Sequence, residues 1–316
     1  MGAKELGYDN IVGKFYLALE ELAKADWVGK IAMPFQSDQP QEEYKWLGMV
    51  PQMREWIGGK NATGLKSNGI TVVNKWFEAT LPIALDDLRR DKTGQIDMRI
   101  RDLAKRALTH WKYLMSLLIT NGTGNTNGLC YDGQFFFDDD HLEGASGTQK
   151  NLLAAGDVAT LNVGTATAPT PAEAAAAILG VIAYMMGIKD NQGEPINDGA
   201  ESFLVMTSPA LMGPFRTALS AELLASGVSN VLVNQSDLKI ELAINARLAY
   251  TTQFAVFRTD APAKPLIQQE ETPVEIKILG EDSDHAFHKK EILVSAEASR
   301  NVAYGLWQYA AHATMS

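Results

Sequence analysis

The sequence predicts an α+β protein in which a mixed helix–strand region interrupts a second region built from one long helix and antiparallel strands. Three observations carry this. Apolar residues recur at i, i+3, i+4 and i+7 through residues 95–120. Helix and strand patterns alternate between residues 122 and 258. Beyond residue 259, several segments alternate apolar and polar residues, which suits strands with one buried face.

Taken in order, Ile11, Phe15, Ala18, Leu19 and Leu22 predict an amphipathic helix. Asp9 is its expected cap, and it should end near Asp26. A polar stretch with two prolines follows at 32–41, so residues 1–41 read as an arm on a linker. Residues 42–87 hold two aromatic, β-favouring segments, 43–50 and 70–83. Between them lie Gly58, Gly59, Asn61, Gly64, Asn68 and Gly69, residues that tolerate positive φ at turns. This predicts a long β-hairpin. A hairpin is marginal alone. Trp46, Trp56, Trp76 and Phe77 on it point to another protein chain as its support, with packing inside the hairpin as the competing reading for each tryptophan.

Residues 95–120 predict a helix about 39 Å long at 1.5 Å per residue, with Thr93 as cap and Asn121-Gly122 as stop. Glycine-, alanine- and asparagine-rich connections fill 129–141 and 144–169. Thr170 and Glu173 form a capping box ahead of a helix running to Gly187, apolar on most sides and so expected to be buried. A strand at 203–206, a helix from Ser208-Pro209 to about Gly227, and strands at 231–233, 238–244 and 248–257 complete this region. The final strands are expected at 274–279, 286–294 and 303–313.

Composition excludes several classes of function. Hydrophobic residues make up 46% and charged residues 21%, which is globular and not disordered. Lys and Arg total 28 against 38 Asp and Glu, a net charge of −10, so a wide phosphate-gripping face is not expected. One cysteine, Cys130, rules out an intrachain disulfide framework and a multi-cysteine metal site, and agrees with a reducing compartment. No basic-then-apolar leader is evident, and the apolar runs at 113–119 and 174–186 are too short for a bilayer.

The densest set of possible metal ligands is Asp138, Asp139, Asp140 and His141. A calcium loop starting at Asp138 would need Gly and Glu where Glu143 and Gln149 stand. The cluster therefore reads as a solvated acidic loop, against a rival metal-dependent enzyme using Asp138, Asp140 and His141. Cys130 beside Tyr131 reads as a packed thiol, and the glycines at 122 and 124 as a helix stop. Arg89, Arg90, Lys92, Arg99, Arg101, Lys105 and Arg106 outnumber Asp91, Asp97 and Asp102, which reads as a wet helix face, against a contact with an acidic subunit or a local contact with nucleic acid. His285 and His288 lie in an expected strand and turn. Sequons at Asn61, Asn121 and Asn234 read as chance matches. No catalytic, cofactor-binding or metal residue is expected, and the chain does not read as an enzyme.

Four blocks resemble one family. They are residues 43–58 (EYKWLGMVPQMREWIG), 69–80 (GITVVNKWFEAT) with Asp86-Asp87, 130–138 (CYDGQFFFD) with His141, and the late pair 284–287 (DHAF) and 304–308 (YGLWQ). In this order they resemble the Mu-like phage major head subunits. The resemblance implies a tailed-phage capsid fold of the HK97 type. Residues 1–41 would be its N-terminal arm and 42–87 its extended loop. Residues 88–121 and 259–316 would be a peripheral domain with the long spine helix, and 122–258 an inserted axial domain.

The function implied is a major capsid protein that assembles into hexamers and pentamers around double-stranded DNA without reading its sequence. Portal and scaffold or decoration proteins would be partners. The location would be the virion, after assembly in the bacterial cytoplasm, with no membrane involved. Trp46, Arg54, Glu55, Trp56, Lys60, Trp76 and Phe77 are the expected inter-subunit contacts. No covalent cross-link through Lys60-Asn61 is expected. A non-viral compartment shell of the same fold is the alternative.

Overall fold

The computed structural model describes residues 8–22, 26–45, 69–90, 94–220 and 238–316. In chain order it begins with α1 (Tyr8–Leu22), α2 (Val28–Ile31), β1 (Ala32–Gln36), β2 (Gln41–Tyr44), β3 (Ile70–Val73), β4 (Lys75–Ala84), α3 (Leu85–Arg90) and α4 (Gln95–Thr120). Short strands β5 (His141–Leu142), β6 (Thr148–Gln149) and β7 (Leu152–Leu153) follow, then α5 (Pro171–Met186), β8 (Ser202–Thr207), α6 (Met212–Ser220), β9 (Lys239–Ile244) and β10 (Gln253–Arg258). The chain finishes with β11 (Leu266–Leu279), α7 (Asp284–Lys289), β12 (Glu291–Tyr304) and β13 (Ala310–Thr314). Helices and strands are thus both abundant, as the α+β reading expects.

Two sheets organise these elements. One runs β1-β11-β12-β4 and the other β7-β13-β10-β8-β9. Residues 259–316 contribute to both: β11 and β12 belong to the first, β13 to the second. Two hydrophobic cores match the two sheets. In the smaller, Ile11, Phe15 and Ala18 of α1 meet Ile96, Ile100, Leu103 and Ala104 of α4 over Ile83, Ile292, Val294 and Ala296 of the sheet. The larger packs α5 and the C-terminal half of α4 against the five-stranded sheet around Phe136, Phe137, Phe203, Phe254 and Trp307. Each fully buried Phe or Ile contributes about 1.5–3 kcal/mol of transfer free energy.

α4 has the bounds its periodicity predicts. Its first flanking residue is Gly94 at φ +72°, and the predicted cap Thr93 lies outside the described residues. The capping box of α5 is formed in both directions between Thr170 and Glu173. Asp9, by contrast, lies inside α1 and not ahead of it, and α1 ends at Leu22.

The described residues 8–22 and 26–36 of the expected arm pack against the rest of the chain. Lys14 Nζ reaches both Asp97 oxygens at 2.6 Å, and Arg101 pairs with Glu21 at 2.9 Å. The Glu281 amide donates to the Tyr8 hydroxyl at 2.6 Å. Ile31, Ala32 and Met33 are buried, and β1 pairs in parallel with β11, Ala32 opposite Leu266. Pro34 fits because β1 is the edge strand, where a missing donor costs no ladder bond.

β2 and β3 pair antiparallel, Gln41 opposite Val73 and Tyr44 opposite Ile70. They form the base of the predicted hairpin, and residues 46–68 of it lie outside the described residues. The single strand expected at 70–83 is broken at Asn74, whose Nδ2 donates to Ser37 Oγ and Gln39 O at 2.9 and 2.7 Å. β4 then leaves the hairpin and pairs with β12.

Further differences lie in the second half. The helix after Ser208 opens as a 3-10 turn, Pro209–Leu211, and the strand expected at 231–233 lies outside the described residues. The strand expected from 248 begins at Gln253. Ala286, His285 and His288 sit on α7, not on strand and turn, because Ser283 caps that helix through the Ala286 amide at 3.1 Å. The strand expected over 303–313 is interrupted by a turn at Trp307–Tyr309.

Candidate functional site

Of the seven expected contact residues, Trp46, Arg54, Glu55, Trp56 and Lys60 lie outside the described residues. The other two, Trp76 and Phe77, are consecutive on β4 and therefore point to opposite faces of the sheet. Trp76, opposite Ser299, is 64% exposed. Few indoles stay that open in a folded chain, and an exposed one is the usual anchor of a protein–protein contact. Phe77, opposite Ala298, turns towards α4, and its ring lies 4.4 Å from that of His110.

Phe77 and His110 line a groove of about 240 Å³ between α4 and strands β4, β11 and β12, together with Arg106 and Arg300. Arg300 is almost wholly buried. Its guanidinium stacks 4.8 Å from the centre of the Trp111 ring, and its Nε has no hydrogen-bond partner. Burial pulls the Arg300 guanidinium down from its ordinary pKa and pushes the carboxyl of its cross-strand neighbour Glu270 up. Burial, with help from Arg300, pulls the His110 imidazole down to about 4. Sequence reasoning missed this cluster. The signal was present: Arg300 falls in phase with Val294, Ala296 and Ala298 on the buried face of β12.

The acidic loop is only half solvated. Asp139 and Asp140 are exposed, but His141 is fully buried. Its Nδ1 lies 2.6 Å from Asp132 Oδ2, its Nε2 lies 3.2 Å from Asn151 Oδ1, and its ring stacks on Trp307 at 3.9 Å. Both ring nitrogens are thus engaged within the fold. Asp138 accepts from the amides of Phe135 and Asp139. Among the described residues no three or more His, Cys, Asp or Glu side chains converge as a metal site would need. Beside this centre, Tyr131 donates to Glu143 at 2.6 Å, and Gln308 reaches both. Cys130 is buried, donates to the Gly305 carbonyl at 3.4 Å, and has its thiol pushed up by burial. These groups tie the turns after α4 to the last strands.

The basic stripe of α4 is partly spent within the chain, on Glu21 through Arg101. Among the described residues no helix is long and apolar enough to cross a membrane.

Two sheets joined by a 26-residue helix, with a hairpin base inserted between β1 and β4, the two edge strands of one sheet, define the shell-subunit fold of tailed-phage capsids. The procapsid subunit of bacteriophage JBD30 superposes with a TM-score of 0.55 over 96% of this chain and 73% of its own, at 21% identity. The mature capsid of bacteriophage PhiM1 gives 0.53 over 93% and 87%, at 10% identity. The chain belongs to the Mu-like prophage major head subunit gpT family, whose model matches residues 10–162 and 243–315.

The major capsid protein of Escherichia phage Mu is 33% identical over 112 residues, and the Mu-like prophage FluMu major head subunit of Haemophilus influenzae is 34% identical over 117. Those alignments span 35% and 37% of this chain, and 36% and 37% of the length of the two relatives.

Proposed function

We infer that this chain is a major capsid protein, a structural subunit that assembles with copies of itself into a phage head. The family match over residues 10–162 and 243–315 carries the reading, and the shell-subunit fold supports it. In finer detail, the subunits form hexamers and pentamers through heterologous contacts that close by symmetry. Residues 42–87 act as the extended loop, α4 as the spine of a peripheral domain, and residues 122–258 as the axial domain.

Trp46, Arg54, Glu55, Trp56, Lys60, Trp76 and Phe77 contribute contacts between subunits. The exposure of Trp76 supports this for the part of the loop that is described. Burying about 1,000 Å² of apolar surface per contact supplies about 25 kcal/mol before ordering costs, so repeated modest contacts hold a cage. The net charge of −10 suits a wall that encloses DNA without gripping it. Portal and scaffold or decoration proteins complete the particle, which forms in the bacterial cytoplasm. Negative-stain imaging of the expressed full chain tests the reading. Closed particles or hexameric plates are expected, and a monodisperse monomer at high concentration refutes it.

A further inference from the structure

The guanidinium of Arg300 presents an unsolved problem of charge. No hydrogen bond or ion pair joins it to any described residue, and its Nε is sealed from solvent. Glu270, opposite it on β11, attracts it through space but makes no ion pair with it. An arginine removed from water normally has a carboxylate or another oxyanion on its fork, because an uncompensated buried charge is strongly destabilising. The stacked Trp111 ring offsets only part of that cost.

The groove in front of Arg300 is a suitable receptacle. Its volume of about 240 Å³ holds one acidic side chain with a few waters, each taking about 30 Å³. Phe77, Ala79, Ala107 and Ala296 give it apolar walls for an aliphatic stem. Arg106 stands exposed beside it and makes no ion pair with a described residue. Two carboxylates also border it. Lys277 neutralises Glu297 at 2.5 Å, and Glu78 accepts the Thr80 hydroxyl at 2.5 Å. A hydroxyl does not cancel the Glu78 charge, so Arg106 and Arg300 stand against one carboxylate without a cation and the groove keeps a positive excess.

We propose that this groove receives an Asp or Glu side chain from a second copy of the chain, which pairs with the Arg300 guanidinium. The proposal deepens the shell reading and rests on it. Charge complementarity selects the occupant: the chain carries 38 acidic residues against 28 basic ones, so carboxylates are the commoner charged groups that a second copy presents. Such a contact is directional, since a bidentate carboxylate must enter in the plane of the fork. It therefore fixes the angle between neighbours as well as holding them.

The test uses Arg300→Lys in the full chain, which keeps the charge and adds an amine that carbodiimide couples to a touching carboxylate. Equal amounts of 14N- and 15N-labelled variant are mixed, assembled, coupled and digested. The expected product is a pair of peptides of mixed isotope, joined by an amide between the introduced amine at position 300 and an Asp or Glu side chain. It should be present in assembled protein and at least tenfold rarer in dissociated protein. In parallel, Arg300→Met should raise the concentration needed for assembly at least tenfold without lowering the melting temperature, because it removes a buried charge that has no hydrogen-bonded or ion-paired partner within the chain. Coupling confined to Glu270 of the same chain, no coupling in assembled particles, or unaltered assembly of a destabilised Arg300→Met overturns the proposal. If the unsubstituted chain itself does not assemble, the shell reading fails first.

Discussion

The turn between β5 and β6 offers a sharp stability test, because two of its glycines share one backbone conformation and differ in their neighbours. Gly144 has φ +57° and Gly147 has φ +72°. A side chain in the left-handed region costs about 1–2 kcal/mol at either position. At Gly147 a Cβ meets nothing within 4 Å, so Gly147→Ala should cost that and little more. At Gly144 a Cβ overlaps the Asn191 carbonyl oxygen and lies 3.1 Å from its carbonyl carbon. That oxygen is held in place by the Ala145 amide at 2.8 Å, so the loop cannot retreat without losing a hydrogen bond.

Overpacking of this kind adds about 1–3 kcal/mol, giving about 2–5 kcal/mol for Gly144→Ala. A chain of 316 residues unfolds with an entropy of about 0.7 kcal/mol/K, so the melting temperature should fall by about 3–8 °C for Gly144→Ala and about 2–3 °C for Gly147→Ala. Differential scanning calorimetry on both variants in the same state of assembly measures this. A Gly144→Ala loss no larger than that of Gly147→Ala would refute the close approach as the reason for the glycine.

Asn151→Ala should be severe, about 3–5 kcal/mol by urea denaturation, since it orphans the Asp138 amide, the Phe136 and Trp307 carbonyls and the Nε2 of His141. Acid should weaken the fold through His312 and His110, whose imidazoles burial holds down to about 4. The unfolded chain then binds protons that the folded chain refuses, so stability is complete above about pH 6.5 and is lost as pH falls towards 4. His312 accounts for about 3 kcal/mol of this, and His312→Gln should flatten the dependence of urea midpoint on pH between 6.5 and 4.5. Trp76→Ala should leave stability within about 0.5 kcal/mol while weakening assembly measured by sedimentation velocity; a clear loss of monomer stability with normal assembly would assign the ring to its own chain.

What could be read ahead of the structure follows the range of the interactions involved. α4 and α5 are announced by signals within one or two turns, a 3.6-residue stripe and a capping box, and both form as read. β1 carries no such signal. Its strand exists because Leu266–Glu270, more than 230 residues away, offer a parallel edge. The acidic neighbours of His141 suggest a solvated ring, and it is buried because Trp307 arrives from the far end of the chain and Asn151 folds back onto it. Arg300 was legible in principle, as the one charge in a run of small apolar residues on a single strand face. Recognising it required knowing that α4 covers that face.

α4 belongs to both cores at once. Its first turns are embedded with α1 over one sheet, through Ile96 to Ala104, and its last turns, Met115 to Ile119, are embedded beneath the other. Between these two anchorages the helix is continuous, so neither end can tilt without levering the other. Any neighbour that presses on one half of the molecule therefore changes the attitude of the opposite half, and a ring of such subunits would share each adjustment around its whole circumference.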